Sequence, residues 1–114
     1  MKVRIYHNPR CSKSRAALEL LTARGLDIEV VHYLDNPPTA TTLRQLLRKL
    51  DSPAASLLRT AEPEFRRYAG RALSDDEIIE LLVQHPKLLQ RPIVEVATAA
   101  RIGRPPTSVL ELFP

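Results

Sequence analysis

A strand-helix-strand pattern compressed into the first third of the chain limits the possible folds more than any other feature. Val3-Arg4-Ile5-Tyr6 reads as a short strand, His7-Asn8-Pro9-Arg10 as a loop, and the stretch from about Ser12 to Arg24 as a helix stopped by Gly25. Ala17, Leu18, Leu20 and Leu21 give that helix an apolar face. Ile28-Glu29-Val30-Val31-His32-Tyr33 is rich in β-branched residues and predicts a second strand. Two strands joined through a helix form a β-α-β unit, and such a crossover makes the pair parallel.

The rest of the chain supplies helices and then a further pair of strands. After the loop Asp35-Asn36-Pro37-Pro38, Leu43, Leu46, Leu47 and Leu50 recur at helical spacing, and Ser52-Pro53 reads as an N-cap followed by a first-turn proline. Ser74-Asp75-Asp76-Glu77 matches a capping box and predicts a helix to about Gln84. Pro92-Ile93-Val94-Glu95-Val96 and Ala100-Arg101-Ile102 read as strands joined by a tight turn, and Pro105-Pro106 opens a last helix ending near Leu112. The fold class is therefore α/β, with a four-stranded mixed sheet, flanking helices and a helical insertion in the middle. A length of 114 residues, 44% of them hydrophobic, suits one domain over 1–114. The start Met1-Lys2-Val3-Arg4-Ile5 is too short in apolar run for a signal peptide. No stretch approaches the ~18 apolar residues that span a bilayer, so a cytoplasmic protein without a membrane partner is expected.

The formal charge is +4, and most of the basic residues are arginines, whose planar forks suit oxyanions. The charges are scattered and no nucleic-acid-binding signature accompanies them, so an anionic small ligand is expected and a nucleic acid is not. The single cysteine, Cys11, excludes an internal disulfide and a multi-cysteine metal site. If it performs redox chemistry, a thiol from another molecule must resolve it.

Cys11 falls where the first loop meets the first helix. A thiolate there is stabilised by the helix dipole and by unpaired amides, and the same amides can cradle an oxyanion. In an arbitrary chain a lone cysteine is more often a small buried hydrophobe. Its company in Asn8-Pro9-Arg10-Cys11-Ser12-Lys13-Ser14-Arg15 favours the reactive reading, with Arg15 adding charge from the same helix face. His7 either tunes the thiolate or holds the loop together. His32 alternates with Ile28 and Val30 and reads as an inward-facing histidine, and His85 reads as a helix C-terminal cap. No metal site is expected. Arg59, Arg91 and Arg104 stand at borders between elements, and Arg91-Pro92 and Arg104-Pro105 share a local form, but spacing alone cannot bring them together.

Tyr6-His7-Asn8-Pro9-Arg10-Cys11-Ser12-Lys13-Ser14-Arg15, Arg91-Pro92-Ile93-Val94 and Arg101-Ile102-Gly103-Arg104-Pro105 occur in this order and spacing. In them the chain resembles the glutaredoxin-coupled arsenate reductases, whose thioredoxin-like fold is shared with the Spx group of transcriptional regulators. The resemblance covers nearly the whole chain. It implies that Cys11 is the catalytic cysteine and that Arg59, Arg91 and Arg104 surround the oxyanion, with Ser14 and Arg15 as further substrate contacts and His7, Asn8 and Pro92 in support. It also implies a cis Pro92 facing the cysteine, where the general preference of X–Pro bonds is trans. The implied partners are arsenate or a similar oxyanion, glutathione as co-substrate with no bound cofactor, and glutaredoxin, acting on a monomer. Two departures stand out. The Thr98-Ala99 turn lacks the glycine often found there, and Ser12-Lys13 replaces a common Gly-Thr. The alternatives are an Spx-type regulator that binds RNA polymerase, whose Cys-x-x-Cys switch cannot close with Ser14 here, and a glutathione-linked reductase of another substrate.

Overall fold

In a computed structural model describing residues Lys2–Pro114, the four strands form one mixed sheet. The elements are β1 (Val3–His7), α1 (Ser12–Ala23), β2 (Ile28–His32), α2 (Ala40–Lys49), α3 (Asp75–Gln84), β3 (Ile93–Glu95) and β4 (Ala100–Ile102). In the sheet they run in the order β2-β1-β3-β4. β1 and β2 are parallel, with Val3 opposite Ile28 and His7 opposite His32, whereas β3 runs antiparallel to both β1 and β4. This is the thioredoxin-like arrangement that the sequence predicts.

Because β1 is central, both of its faces are covered: Val3, Ile5, Tyr6 and His7 are buried and Arg4 is half-buried. Val3 and Ile5 point with Val94 into a core closed by Ala17 and Leu21 of α1 and by Val109 and Leu112. Tyr6 and Ile93 point the other way, into a core built from Leu43 and Leu46 of α2 and Ile78, Ile79, Leu81 and Leu82 of α3. The period-2 alternation of the strands thus sorts the helices onto two faces.

Local signals set the helix ends. Gly25, with φ +70°, follows the last turn of α1, and Ser74 and Glu77 form the expected reciprocal capping box at α3. His85 is the C-cap residue of α3, its amide donating to the Leu81 carbonyl. Three expectations are corrected. Ser52 caps no helix: a short 3₁₀ turn, Ala54–Leu57, follows Pro53, and Ser52 Oγ instead pairs with Ser56 Oγ. The terminal segment Pro106–Leu112 is a 3₁₀ helix, and Pro63–Tyr68 and Pro86–Leu88 are also 3₁₀. His32 is exposed, as is Val30 on the same face, because β2 is an edge strand. The β3–β4 turn manages without glycine: Val96 N–H donates to the Ala99 carbonyl at 2.9 Å, and no non-glycine residue among those described adopts positive φ. Among the described residues no helix is long and apolar enough to cross a membrane.

One charged cluster lies inside the sheet. Glu95 is 5% exposed and accepts hydrogen bonds from Lys49 Nζ at 2.8 Å, Tyr6 Oη at 3.2 Å and Arg4 Nη1 at 3.3 Å. Arg4 also reaches across β2 to Glu29 at 2.9 Å, so cross-strand neighbours on both sides of β1 are tied through one guanidinium. Burial, followed by the Glu95 charge, pushes the Tyr6 phenol up to about 12, so it remains a donor. Replacing Glu95 with Ala leaves Arg4, Lys49 and Tyr6 without their shared acceptor. The expected result is a loss of about 3–5 kcal/mol in urea unfolding with an unchanged slope. A midpoint equal to the parent's would show that the cluster contributes nothing.

Candidate functional site

The site begins at the carboxyl end of β1, where the chain turns through Asn8-Pro9-Arg10 before α1. The Cys11 amide donates to the Asn8 carbonyl at 3.0 Å, and the Arg10 amide donates to Asn8 Oδ1 at 3.0 Å, so the loop folds around Asn8. Cys11 is the N-cap residue of α1 and is 9% exposed. Burial, the largest single influence, pushes its thiol up. The Ser14 amide, the Arg91 charge, the Lys13 amide and the Arg104 charge together outweigh it, leaving the pKa below its ordinary value. The structure therefore favours the thiolate at the head of the helix.

His7 and Ser14 stand behind the thiol. His7 is 5% exposed, Ser14 is fully buried, and His7 Nδ1 lies 2.6 Å from Ser14 Oγ, which also accepts from the Asn8 amide at 3.1 Å. Burial, then the charges of His32 and Arg15, hold the His7 imidazole below its ordinary pKa, which keeps it neutral. Of the two roles open to His7, the structure shows the loop-holding one. Ser14, expected to touch substrate, offers its amide to the thiol while its side chain is engaged with His7 and Asn8. Arg15, also implied as a substrate contact, donates from Nη1 to the Pro9 carbonyl at 2.8 Å and braces the loop from the solvent side.

The arginines arrive on separate elements. Arg104 lies just beyond β4, its Nε donating to the Arg91 carbonyl at 2.9 Å and its Nη2 lying 3.9 Å from Cys11 Sγ. Arg91 precedes β3. Its Nε is buried without a partner, and its Nη1 has only a long 3.5 Å contact to Gln90 Oε1, so most of its fork is uncommitted. Both Arg91–Pro92 and Arg104–Pro105 peptides are cis. The first agrees with what the resemblance implied, and the second was foreseen by no reading of the sequence. Gly103 N–H donates to the Pro92 carbonyl at 2.8 Å, and a Cβ on Gly103 would sit 2.6 Å from Pro92 Cγ.

Arg59 is delivered by a short antiparallel contact, with its amide donating to the Leu88 carbonyl at 2.8 Å and the Gln90 amide to the Leu57 carbonyl at 2.7 Å. Its guanidinium pairs with Glu62 and donates to the Lys87 carbonyl at 3.2 Å. It faces a cleft of about 500 Å³ that it shares with His7, Asn8, Pro9 and Arg10. Cys11, Arg91 and Arg104 thus form the inner group, and Arg59 stands on the adjoining wall.

Sequence reading missed Tyr33, which follows β2, is fully buried and leaves its O–H without an acceptor. In the sequence it reads only as the last residue of a predicted strand.

The model of the ArsC family matches residues 6–112. The Escherichia coli (strain K12) protein YfgD, itself uncharacterised, is 48% identical, with the alignment covering 97% of this chain and 96% of that protein. An arsenate reductase from Neisseria meningitidis serogroup A is 41% identical, covering 91% of this chain and 92% of its own length. The solved structure of an arsenate reductase from Vibrio cholerae superposes with a TM-score of 0.92 at 40% identity, covering 99% of this chain and 98% of its own.

Alkylation of Cys11 by iodoacetamide across a pH series tests the electrostatics. Reaction is expected to persist below the ordinary thiol range near ~8.5, because a depressed pKa keeps the thiolate populated as pH falls. Arg104→Ala should move the midpoint upward, and a curve identical to the parent's would remove Arg104 from the account.

Proposed function

The chain belongs to the ArsC family, and from that premise we propose that it reduces arsenate to arsenite with thiols as the electron source. The observation that carries this reading is a thiol with a lowered pKa, 3.9 Å from the Arg104 guanidinium and influenced by the charge of the largely uncommitted Arg91. A nucleophile and cations that bind a tetrahedral oxyanion therefore share one place.

In this mechanism the oxyanion lies against Arg91, Arg104 and the first amides of α1, which offset its charge and make the central atom more electrophilic. The Cys11 thiolate forms a sulfur–arsenic bond, and one arsenate oxygen leaves as water after protonation. Glutathione then attacks the Cys11 sulfur. A sulfur–sulfur bond forms, the sulfur–arsenic bond breaks with its electron pair going to arsenic, and arsenite departs while arsenic passes from the fifth to the third oxidation state. The Cys11–glutathione disulfide is cleared by glutaredoxin through thiol exchange, consistent with a chain that carries one cysteine. Phosphate shares the shape and charge of arsenate and should compete for the site without being reduced.

Arsenate-dependent NADPH oxidation, coupled through glutathione, glutaredoxin and glutathione reductase, tests the reading. Cys11→Ser is expected to fall to background, and retained turnover would discard Cys11 as the nucleophile. Arg91→Ala should raise the KM for arsenate about tenfold through loss of a charged hydrogen bond. A folded parent protein without arsenate-dependent turnover overturns the substrate assignment.

A further inference from the structure

We propose that the Tyr33 hydroxyl is a direct hydrogen-bond donor to the oxyanion held at Cys11, completing on the β2 side the ring of donors that Arg91, Arg104 and the α1 amides form on the other. This inference rests on the reading of the site as an oxyanion site and adds a substrate-contacting residue to it.

Tyr33 lies one position past the His7–His32 pair, at the carboxyl ends of the parallel strands β1 and β2, beside Asn8 and the loop that delivers Cys11. Ligands of open α/β sheets bind in the crevice at such strand ends. The side chain is 0% exposed, yet its hydroxyl has no acceptor within the protein: the Asn8 side chain acts on the phenol as a donor to its oxygen, with Asn8 Oδ1 already taken by the Arg10 amide, and the phenol O–H is left uncommitted. A buried polar group left unpaired loses its hydration without return, and a phenylalanine would fill the same space without that penalty. After burial, the Asn8 side chain and then the charges of Arg91, Arg59 and Cys11 act on the phenol, so the hydroxyl lies among the groups of the site. Arg91 Nε is a second buried donor without a partner at the same place. Two buried donors without acceptors beside a nucleophile call for an acceptor-rich ligand, and the unprotonated oxygens of a tetrahedral oxyanion are acceptors. Burial holds the phenol above its ordinary pKa, so it donates as a neutral group at neutral pH.

Tyr33→Phe removes the oxygen alone. The first readout is protection of Cys11 from iodoacetamide by arsenate and by inorganic phosphate, which needs no turnover. The concentration giving half-protection is expected to rise about tenfold, with a similar fall in kcat/KM for arsenate. Alkylation without anion should be unchanged, and the thermal midpoint equal to or above the parent's. The second readout is carbon-13 NMR of protein labelled at tyrosine Cζ. Of the three tyrosines, the resonance that Tyr33→Phe deletes should move on adding arsenate. A protection curve superimposing on the parent's, or a Tyr33 resonance indifferent to arsenate, overturns the proposal. A parent protected by arsenate yet unable to reduce it would sink the reductase reading and leave this one standing. A parent that neither anion protects would sink both.

Discussion

The contact between Gly103 and Pro92 is the constraint on which the site depends. A β-α-β unit can present a cysteine at a helix head by itself, but the cations that act on it come from the antiparallel half of the sheet. That half meets the thiol at the correct distance only because the β3–β4 ladder continues one step beyond its strands, through the Gly103 amide and the Pro92 carbonyl at 2.8 Å. A side chain at position 103 would sit 2.6 Å from the proline ring, closer than real Cβ contacts allow. Arg104 follows immediately, and its Nε is fixed on the Arg91 carbonyl, so the Arg104 guanidinium is positioned by backbone. Sites positioned by rigid elements hold their geometry better than sites made of loops alone.

Charge is handled in two ways in one small sheet. At the Glu95 end, opposite charges are matched and the cluster is satisfied by Arg4, Lys49 and Tyr6. At the Cys11 end, cations and donors outnumber acceptors, with Arg91 Nε and the Tyr33 O–H lacking acceptors within the protein. Matched clusters hold strands in register, whereas an excess of one kind of group marks a place that takes up a ligand. β1 connects the two ends, since Arg4 and Tyr6 serve the first and His7 the second.

How much the sequence revealed depended on how local each determinant was. The Ser74–Glu77 box, the Gly25 stop and the cysteine at a helix head are written within a few residues, and the structure has each where the pattern puts it. The expectation for His32 failed because alternation says which residues share a face but not which strand lies at the edge. The resemblance implied Ser14 and Arg15 as substrate contacts, and the partners they have within the protein, His7 and the Pro9 carbonyl, are contributed by the preceding strand and loop, which spacing along α1 does not reveal. The convergence of Arg59, Arg91 and Arg104 had no local signal and was accessible only through family resemblance. For Tyr33 the informative property is a missing partner, and a missing partner can be recognised only once all the neighbours are in place.

Arg104 and Cys11 are 93 positions apart, with the thiol near the start of the chain. During synthesis the cysteine is made early and the guanidinium beside it late. Until the last strands add to the sheet, the thiol lacks the Arg91 and Arg104 charges that help lower its pKa. In a chain that has not yet folded the thiol has neither the burial that raises its pKa nor the amides and arginines that lower it, so its ordinary value applies. The lowered pKa of Cys11 is thus a property of the assembled sheet, set by residues far apart in the sequence.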